Sequence, residues 1–194
     1  YRLVAERDGA AELAMAVVVG KATDRDQTPA MSTRIEAVIA NPSWGVPQRI
    51  VDEKLRVDAH DIPELLIDRG YEVSVDDQGK WRVRMPPGPE NPLGKLKFQL
   101  AGTNGVYLHD TNARSVFARD ARSLSHGCVR LSDPVALARW VLPEREIDID
   151  EAMAYASFTT LFDVDSLPTH LVYQTVQVED GRLVSDFTQR PGAQ

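Results

Sequence analysis

The sequence predicts an α+β domain that is mainly β, and three observations carry the prediction. Short stretches of strand-like alternation or dense Val content recur along the chain, one segment alone has strong helical spacing, and Gly- and Pro-rich breakers separate them. The 194 residues are 43% hydrophobic and 26% charged, a composition that suits one folded domain with at most a small appendage. The single Cys cannot form an internal disulfide, so the core must hold the fold unaided.

Leu13 to Val19 is apolar and Val-rich, and Arg34 to Ala40 alternates in part, with the polar segment Ala22 to Pro29 between them. A pair of neighbouring antiparallel strands is the economical expectation. From Asn41-Pro42 through Gly45 and Pro47 the texture breaks, and Pro47 to Leu55 shows no strand spacing. Asp61 to Arg69 reads as a short helix, with Ile62, Leu65, Leu66 and Arg69 at helical spacing, Pro63 in the first turn and Gly70 as the stop. Tyr71 to Val75 and Trp81 to Met85 alternate around Asp76-Asp77-Gln78-Gly79, as a hairpin would. Pro86-Pro87-Gly88-Pro89-Glu90-Asn91-Pro92 then excludes regular structure and closes a module, residues 47–87, inserted between sheet segments. That module is either an ordinary β-rich excursion or a lid.

Lys95 to Leu100 and Gly105 to His109 alternate as strands. Ser132 to Leu142 is the clearest helix: Ser132 is the expected cap, Asp133 and Pro134 fill the first turn, and Val135, Leu137, Ala138, Val141 and Leu142 form the apolar face. Asp150 to Ala156 is a shorter helix, and Leu171 to Val178 a last strand before the Glu179-Asp180-Gly181 turn.

Charge and hydropathy narrow the functional classes. With 22 Lys and Arg against 29 Asp and Glu the net charge is −7, the wrong sign for a nucleic-acid partner. The longest apolar run, Leu13 to Val19, is far short of the ~20 residues of a membrane-spanning helix. The chain opens at Tyr1 with no initiator Met or signal-like segment, which predicts a piece of something longer.

The chemistry concentrates around Cys128. The segment Val106-Tyr107-Leu108-His109-Asp110-Thr111 precedes Ser125-His126-Gly127-Cys128-Val129-Arg130, so two of the four His flank the only thiol. A thiol near its free pKa is a weak nucleophile until a base or cation favours thiolate, and an imidazole supplies that base. Gly127 lets backbone approach a substrate and leaves an N–H that, with that of Cys128, could cradle an oxyanion. Arg130 adds fixed positive charge. Read without context, a lone Cys is a small buried hydrophobe and a lone His is structural; their clustering argues for chemistry. Either His126, at i−2, or His109 could be the base. Metal binding by Cys128, His126 and His109 lacks the four ligands and paired spacing of a structural zinc site, so neither metal nor cofactor is expected. Arg114, Arg119, Arg122 and Arg130 against Asp110 and Asp120 make a locally basic stripe suited to carboxylate-rich ligands, or simply a solvated loop. Trp44, Trp81 and Trp140 share no face and are assigned to packing.

The Ser125 to Arg130 motif, with His109 seventeen residues before His126, resembles the signature of the YkuD family of L,D-transpeptidases. Asn41-Pro42-Ser43-Trp44-Gly45-Val46-Pro47, Pro86-Pro87-Gly88-Pro89, Asn91-Pro92-Leu93-Gly94 and Phe117-Ala118-Arg119-Asp120 resemble its YcbB-type branch, and the likeness runs from Ala14 to Gln177. It implies a β-sandwich of mixed sheets with a few helices, in which residues 1–194 are the catalytic domain and residues 47–87 a capping subdomain. It further implies Cys128 as nucleophile and His109 as general base and acid, oriented by the Asp110 carbonyl. His126 would then line the pocket, Tyr107 stand beside it, and Ser125, Gly127 and Arg130 shape the oxyanion loop. Where many members have His-Gly-Thr or His-Gly-Ser, this chain has His109-Asp110-Thr111, leaving Asp110 without an assigned role. The implied activity is transfer of a peptidoglycan stem peptide, cut between diaminopimelate and D-Ala, to a second stem's amine as a 3-3 cross-link. Water or an outer-membrane protein are alternative acceptors, and a non-catalytic wall-binding module is the alternative outside enzymology. The resemblance also implies covalent inhibition by carbapenem β-lactams, action as a monomer, and a place in the periplasm or cell envelope within a longer exported chain.

Overall fold

The computed structural model of the protein describes residues 1–54, 62–103, 105–155, 159–174, 176–179 and 182–185. In chain order the elements are β1 (Arg2–Arg7), β2 (Ala10–Gly20), β3 (Met31–Ala40), β4 (Trp44–Gly45), α1 (Gln48–Lys54), α2 (Ile62–Asp68), β5 (Glu72–Val75) and β6 (Trp81–Met85). There follow β7 (Leu96–Leu100), β8 (Tyr107–His109), a 3-10 turn (Arg114–Ala118), β9 (Ser123–Ser125), β10 (Val129–Leu131), α3 (Pro134–Val141), a second 3-10 turn (Pro143–Arg145), α4 (Glu146–Ala154), β11 (Thr160–Leu171), β12 (Val176–Glu179) and β13 (Arg182–Ser185). The protein is α+β and mainly β, as expected.

A curled mixed sheet in the order β1-β2-β10-β8-β7-β3-β11, with β9 beside β2, forms the body. On β7 the alternate residues Leu96, Phe98 and Leu100 are fully buried, whereas Lys97 and Gln99 between them are half-buried. One face of the sheet therefore makes the core while the other remains available for chemistry. Leu108, Val129, Leu131, Val38 and Val17 continue the core face, and Leu137, Ala138, Ile149 and Ala152 of α3 and α4 cover it. Leu3 of β1 and Leu167 and Leu171 of β11 pack on the same cluster, so both sheet edges curl around one interior. A second sheet, β4-β6-β5, carries its own cluster of Val46, Val51, Leu66 and Val83 with α1 and α2 beside it.

Several expectations need correction. β2 and β3 do not pair: β10, β8 and β7 lie between them. Their connection is no hairpin turn because its polar groups are committed elsewhere. The Thr28 hydroxyl accepts from Gly20 N and donates to the Gly127 carbonyl, and Lys21 N donates to Ser125 O. Gln48–Lys54 forms helix α1, in keeping with its lack of strand spacing. Asp133, rather than Ser132, caps α3, its carboxylate accepting from Ala136 N at 3.0 Å. α4 begins at Glu146, four residues before the expected start, with Glu146 and Asp148 favourably placed in its first turn. The single strand expected from Leu171 is the end of β11, an interruption, and β12; Asp180 and Gly181 of the expected turn, like Asp61 and Ala156 of the expected helices, lie outside the described residues. The β5–β6 hairpin forms as expected: the Asp76 carboxylate accepts from Gln78 N and Lys80 N and closes the turn.

Candidate active site

The site is assembled by three central strands. β10 runs parallel to β8 with Val129 opposite Leu108 and Arg130 opposite His109; β7 runs antiparallel to β8 with Lys97 opposite His109 and Gln99 opposite Tyr107. Lys97, His109 and Arg130 thus form one row across the non-core face. Continuing the β10 register back by one residue sets Cys128 beside Tyr107 in the adjoining row. His109 is then the diagonal neighbour of Cys128 on the same face. Tyr107 stands against both: its ring meets the His109 imidazole edge-on at 5.6 Å between centroids, and its hydroxyl acts electrostatically on the Cys128 thiol.

The turn that presents Cys128 is tightly braced. Ser125 Oγ donates to the Cys128 carbonyl at 2.5 Å and accepts from Gly127 N at 3.2 Å. The Gly127 N–H, expected to be free for an oxyanion, therefore serves the turn. Gly127 has φ +115, a conformation L side chains rarely adopt, so glycine is required there by backbone shape. Thr28, 4% exposed, clamps the Gly127 carbonyl from outside the motif at 2.9 Å. Two further residues reach the site from the second sheet's module. The Arg49 guanidinium of α1 donates to Asp26 at 2.7 Å and to the His126 carbonyl at 3.5 Å, while Trp44 of β4 lies beside the Tyr107 hydroxyl.

Burial sets the protonation of the pair. His109 is 5% exposed, and desolvation, reinforced by the adjacent Arg130 and Lys97, pushes its pKa down to about 3, with its Asp110 backbone contact opposing. Its Nδ1 is buried without a partner at full hydrogen-bond geometry among the described residues. Burial also pushes the Cys128 thiol up, against hydrogen bonds from the Tyr107 backbone and hydroxyl and the charges of Lys97 and Arg130. At rest the thiol and imidazole are both neutral. The thiol donates to the Gly105 carbonyl at 3.4 Å, and burial, with the thiol beside it, also raises the Tyr107 phenol, which stays protonated as a donor.

Of the other predicted residues, His126 interacts electrostatically with Asp26, and the groups acting on the thiol include Tyr107 and Arg130. The basic stripe divides too: Arg114 is bound to Asp110 and the Ser132 carbonyl, and Arg122 to the carbonyls of Val17, Arg119 and Tyr1. Asp110 acquires a structural role, accepting from Lys95 N and Arg114 while its side chain fills the space where a Cβ on Gly94 would sit, at 2.3 Å. Lys97, Thr28, Asp26 and Arg49 escaped sequence reading; only the lysine, polar in a strand of alternating core residues, left a trace there.

The curled mixed sheet thus carries a thiol, an imidazole and a phenol on one face. The sequence model of the YkuD family, the L,D-transpeptidase catalytic domain, matches residues 1–149, and the chain belongs to that family. It is also 30% identical to a Haemophilus influenzae protein described as a candidate L,D-transpeptidase, over 95% of this chain and 41% of that protein. The chain thus spans less than half the length of that relative.

Proposed function

We propose that the domain is a cysteine acyltransferase that cuts the diaminopimelate–D-Ala bond of a tetrapeptide stem and passes the acyl group to an amine of a second stem. His109 takes the Cys128 proton as sulfur attacks the scissile carbonyl; the imidazolium then returns that proton to the leaving nitrogen as the C–N bond breaks, freeing D-Ala and leaving a thioester. In the second half-reaction the acceptor amine attacks the thioester, His109 removes its proton, and the thiol is regenerated. The observation that carries the reading is the one-face, diagonal placement of Cys128 and His109 with Tyr107 in contact with both.

The module built on β4, β5 and β6 acts in this reading as a cap. Trp44 and Arg49 tie it to Tyr107 and to the nucleophile turn, and a covered thioester favours amine over water. In this reading the domain works in the periplasm or cell envelope, where peptidoglycan is built. Intact-mass measurement after carbapenem exposure, followed by peptide mapping, tests the nucleophile: one adduct on Cys128 is expected, and an unmodified chain would remove the enzymatic reading. Product analysis with tetrapeptide stems then identifies the acceptor, with dimers expected for a 3-3 cross-link and D-Ala release alone for water.

A further inference from the structure

The connection between β2 and β3, residues 21–30, is a compact support for the nucleophile turn. Asp26 N donates to the carbonyl and the hydroxyl of Thr23, and Gln27 N to the same carbonyl, so the segment is folded on itself. It returns so close to β2 that a Cβ on Gly20 would lie 2.0 Å from the Asp26 carbonyl oxygen and 2.6 Å from Thr28 N. Backbone packed that tightly has no room to shift toward the strand. The nucleophile turn lies against it: a Cβ on Gly127 would meet the Asp26 and Gln27 carbonyl oxygens at 3.8 and 3.9 Å, and the Thr28 hydroxyl donates to the Gly127 carbonyl.

Thr28 is held in turn by a residue from far along the chain. β11 ends its pairing with β3 at Leu171, opposite Met31, and just beyond it the Tyr173 hydroxyl donates to the Thr28 carbonyl at 2.7 Å. Burial raises the phenol above its ordinary value, so the hydroxyl keeps its proton and remains a donor. A tyrosine ring turns about only two side-chain torsions, which fixes its partner more narrowly than a long flexible side chain would. Tyr173 lies beyond residues 1–149, so the family-matched stretch is braced from outside itself. We propose that Tyr173 is a positioning residue for the nucleophile: its hydroxyl fixes Thr28, Thr28 fixes the Gly127 carbonyl, and the Cys128 backbone follows. The role rests on the acyl-transfer reading, because attack on a carbonyl held in a groove depends on the direction from which sulfur approaches.

Tyr173→Phe tests this, since it removes the hydroxyl and keeps the ring. Carbapenem acylation of the variant and of the unaltered domain, both shown folded by circular dichroism, is followed over a range of drug concentrations. That separates the maximal rate from the half-saturating concentration. We expect the maximal rate to fall about three- to tenfold, the effect of one hydrogen bond on the transition state, with the half-saturating concentration unchanged. Alkylation by iodoacetamide, a small reagent that reaches sulfur from many directions, should change by less than about twofold, because the acidity of the thiol is untouched. In Thr28→Val the link to Gly127 is already cut, so adding Tyr173→Phe should slow acylation no further. An unchanged maximal rate, a loss confined to the half-saturating concentration, or an iodoacetamide rate that falls in step overturns the positioning role. A full further loss in the double variant does the same. Should the double variant fail to fold, the comparison of Tyr173→Phe with the unaltered domain decides alone. An unaltered domain that forms no adduct overturns the acyl-transfer reading and this proposal with it, whereas two acylated proteins with equal rates overturn the positioning role only.

Discussion

Acid should destabilise this protein through His109, and replacing that residue with Gln should remove the effect. The imidazole takes a proton near 6.5 when the chain is unfolded but only near about 3 inside the fold. Between those values the unfolded chain binds the extra proton, so stability falls as pH drops below about 6.5, by roughly 1.4 kcal/mol per pH unit, until the loss levels off near the folded value. From pH 7 to pH 4.5 this one group contributes a loss of about 2.5 kcal/mol, a large share of a typical domain's stability. Carboxylates such as Asp26, which is held low by Arg49, His126 and Lys21 against its own desolvation, also weaken the fold in acid. They are common to both proteins and cancel in the comparison. Urea unfolding of the natural domain and of His109→Gln at both pH values measures the difference directly. The natural protein should lose about 2.5 kcal/mol more than the variant over this interval; equal losses would refute the claim that His109 is buried as a neutral base.

Other outcomes follow from the same geometry. The alkylation rate of Cys128 with iodoacetamide should climb with pH through a midpoint above that of a free cysteine, because burial favours the thiol; a plateau already reached at pH 7 would contradict it. Thr28→Val leaves Gly20 N and the Gly127 carbonyl unpaired and should cost about 2–3 kcal/mol while slowing carbapenem acylation, with Thr28→Ser restoring both, as chemical denaturation and acylation kinetics would show. Asn91, 1% exposed, donates to the carbonyls of Pro42, Met85 and Pro86 and accepts from Leu93 N. Asn91→Ala should therefore lower stability by about 2–4 kcal/mol, read as a drop in Tm, since several buried backbone groups lose their partner together. Arg49→Met should raise the ratio of hydrolysis to transfer if the α1 contact holds the cap over the thioester; an unchanged ratio would reduce that contact to scaffolding.

Legibility in the sequence depended on whether a signal was local. β6, β7 and the β5–β6 hairpin were readable because alternation and turn chemistry sit within a few residues. β11 was not. It carries Asp163, Asp165 and Pro168, its pairing with β3 is interrupted between Asp163 and Leu167, and Ser166 takes φ 33, so an edge strand with a bulge erases the period that would announce it. The error over β2 and β3 has a similar cause: adjacency in sequence suggests pairing, but the connecting segment finds its partners in the distant Ser125 and Gly127. In the site, two short motifs bring Cys128, Tyr107 and His109 to notice, but spacing leaves the base open between His109 and His126 and only the family resemblance chooses His109. Lys97 joins them through the β7–β8 register, marked in the sequence only by its polarity within an alternating strand, and Thr28 through the path of a loop, which leaves no trace in local spacing.

The neutral resting sulfur has a consequence for chemical durability. Peroxides and disulfides react with thiolates far more readily than with thiols. By favouring the protonated thiol, the burial around Cys128 spares the single cysteine from sulfenic acid and mixed-disulfide formation.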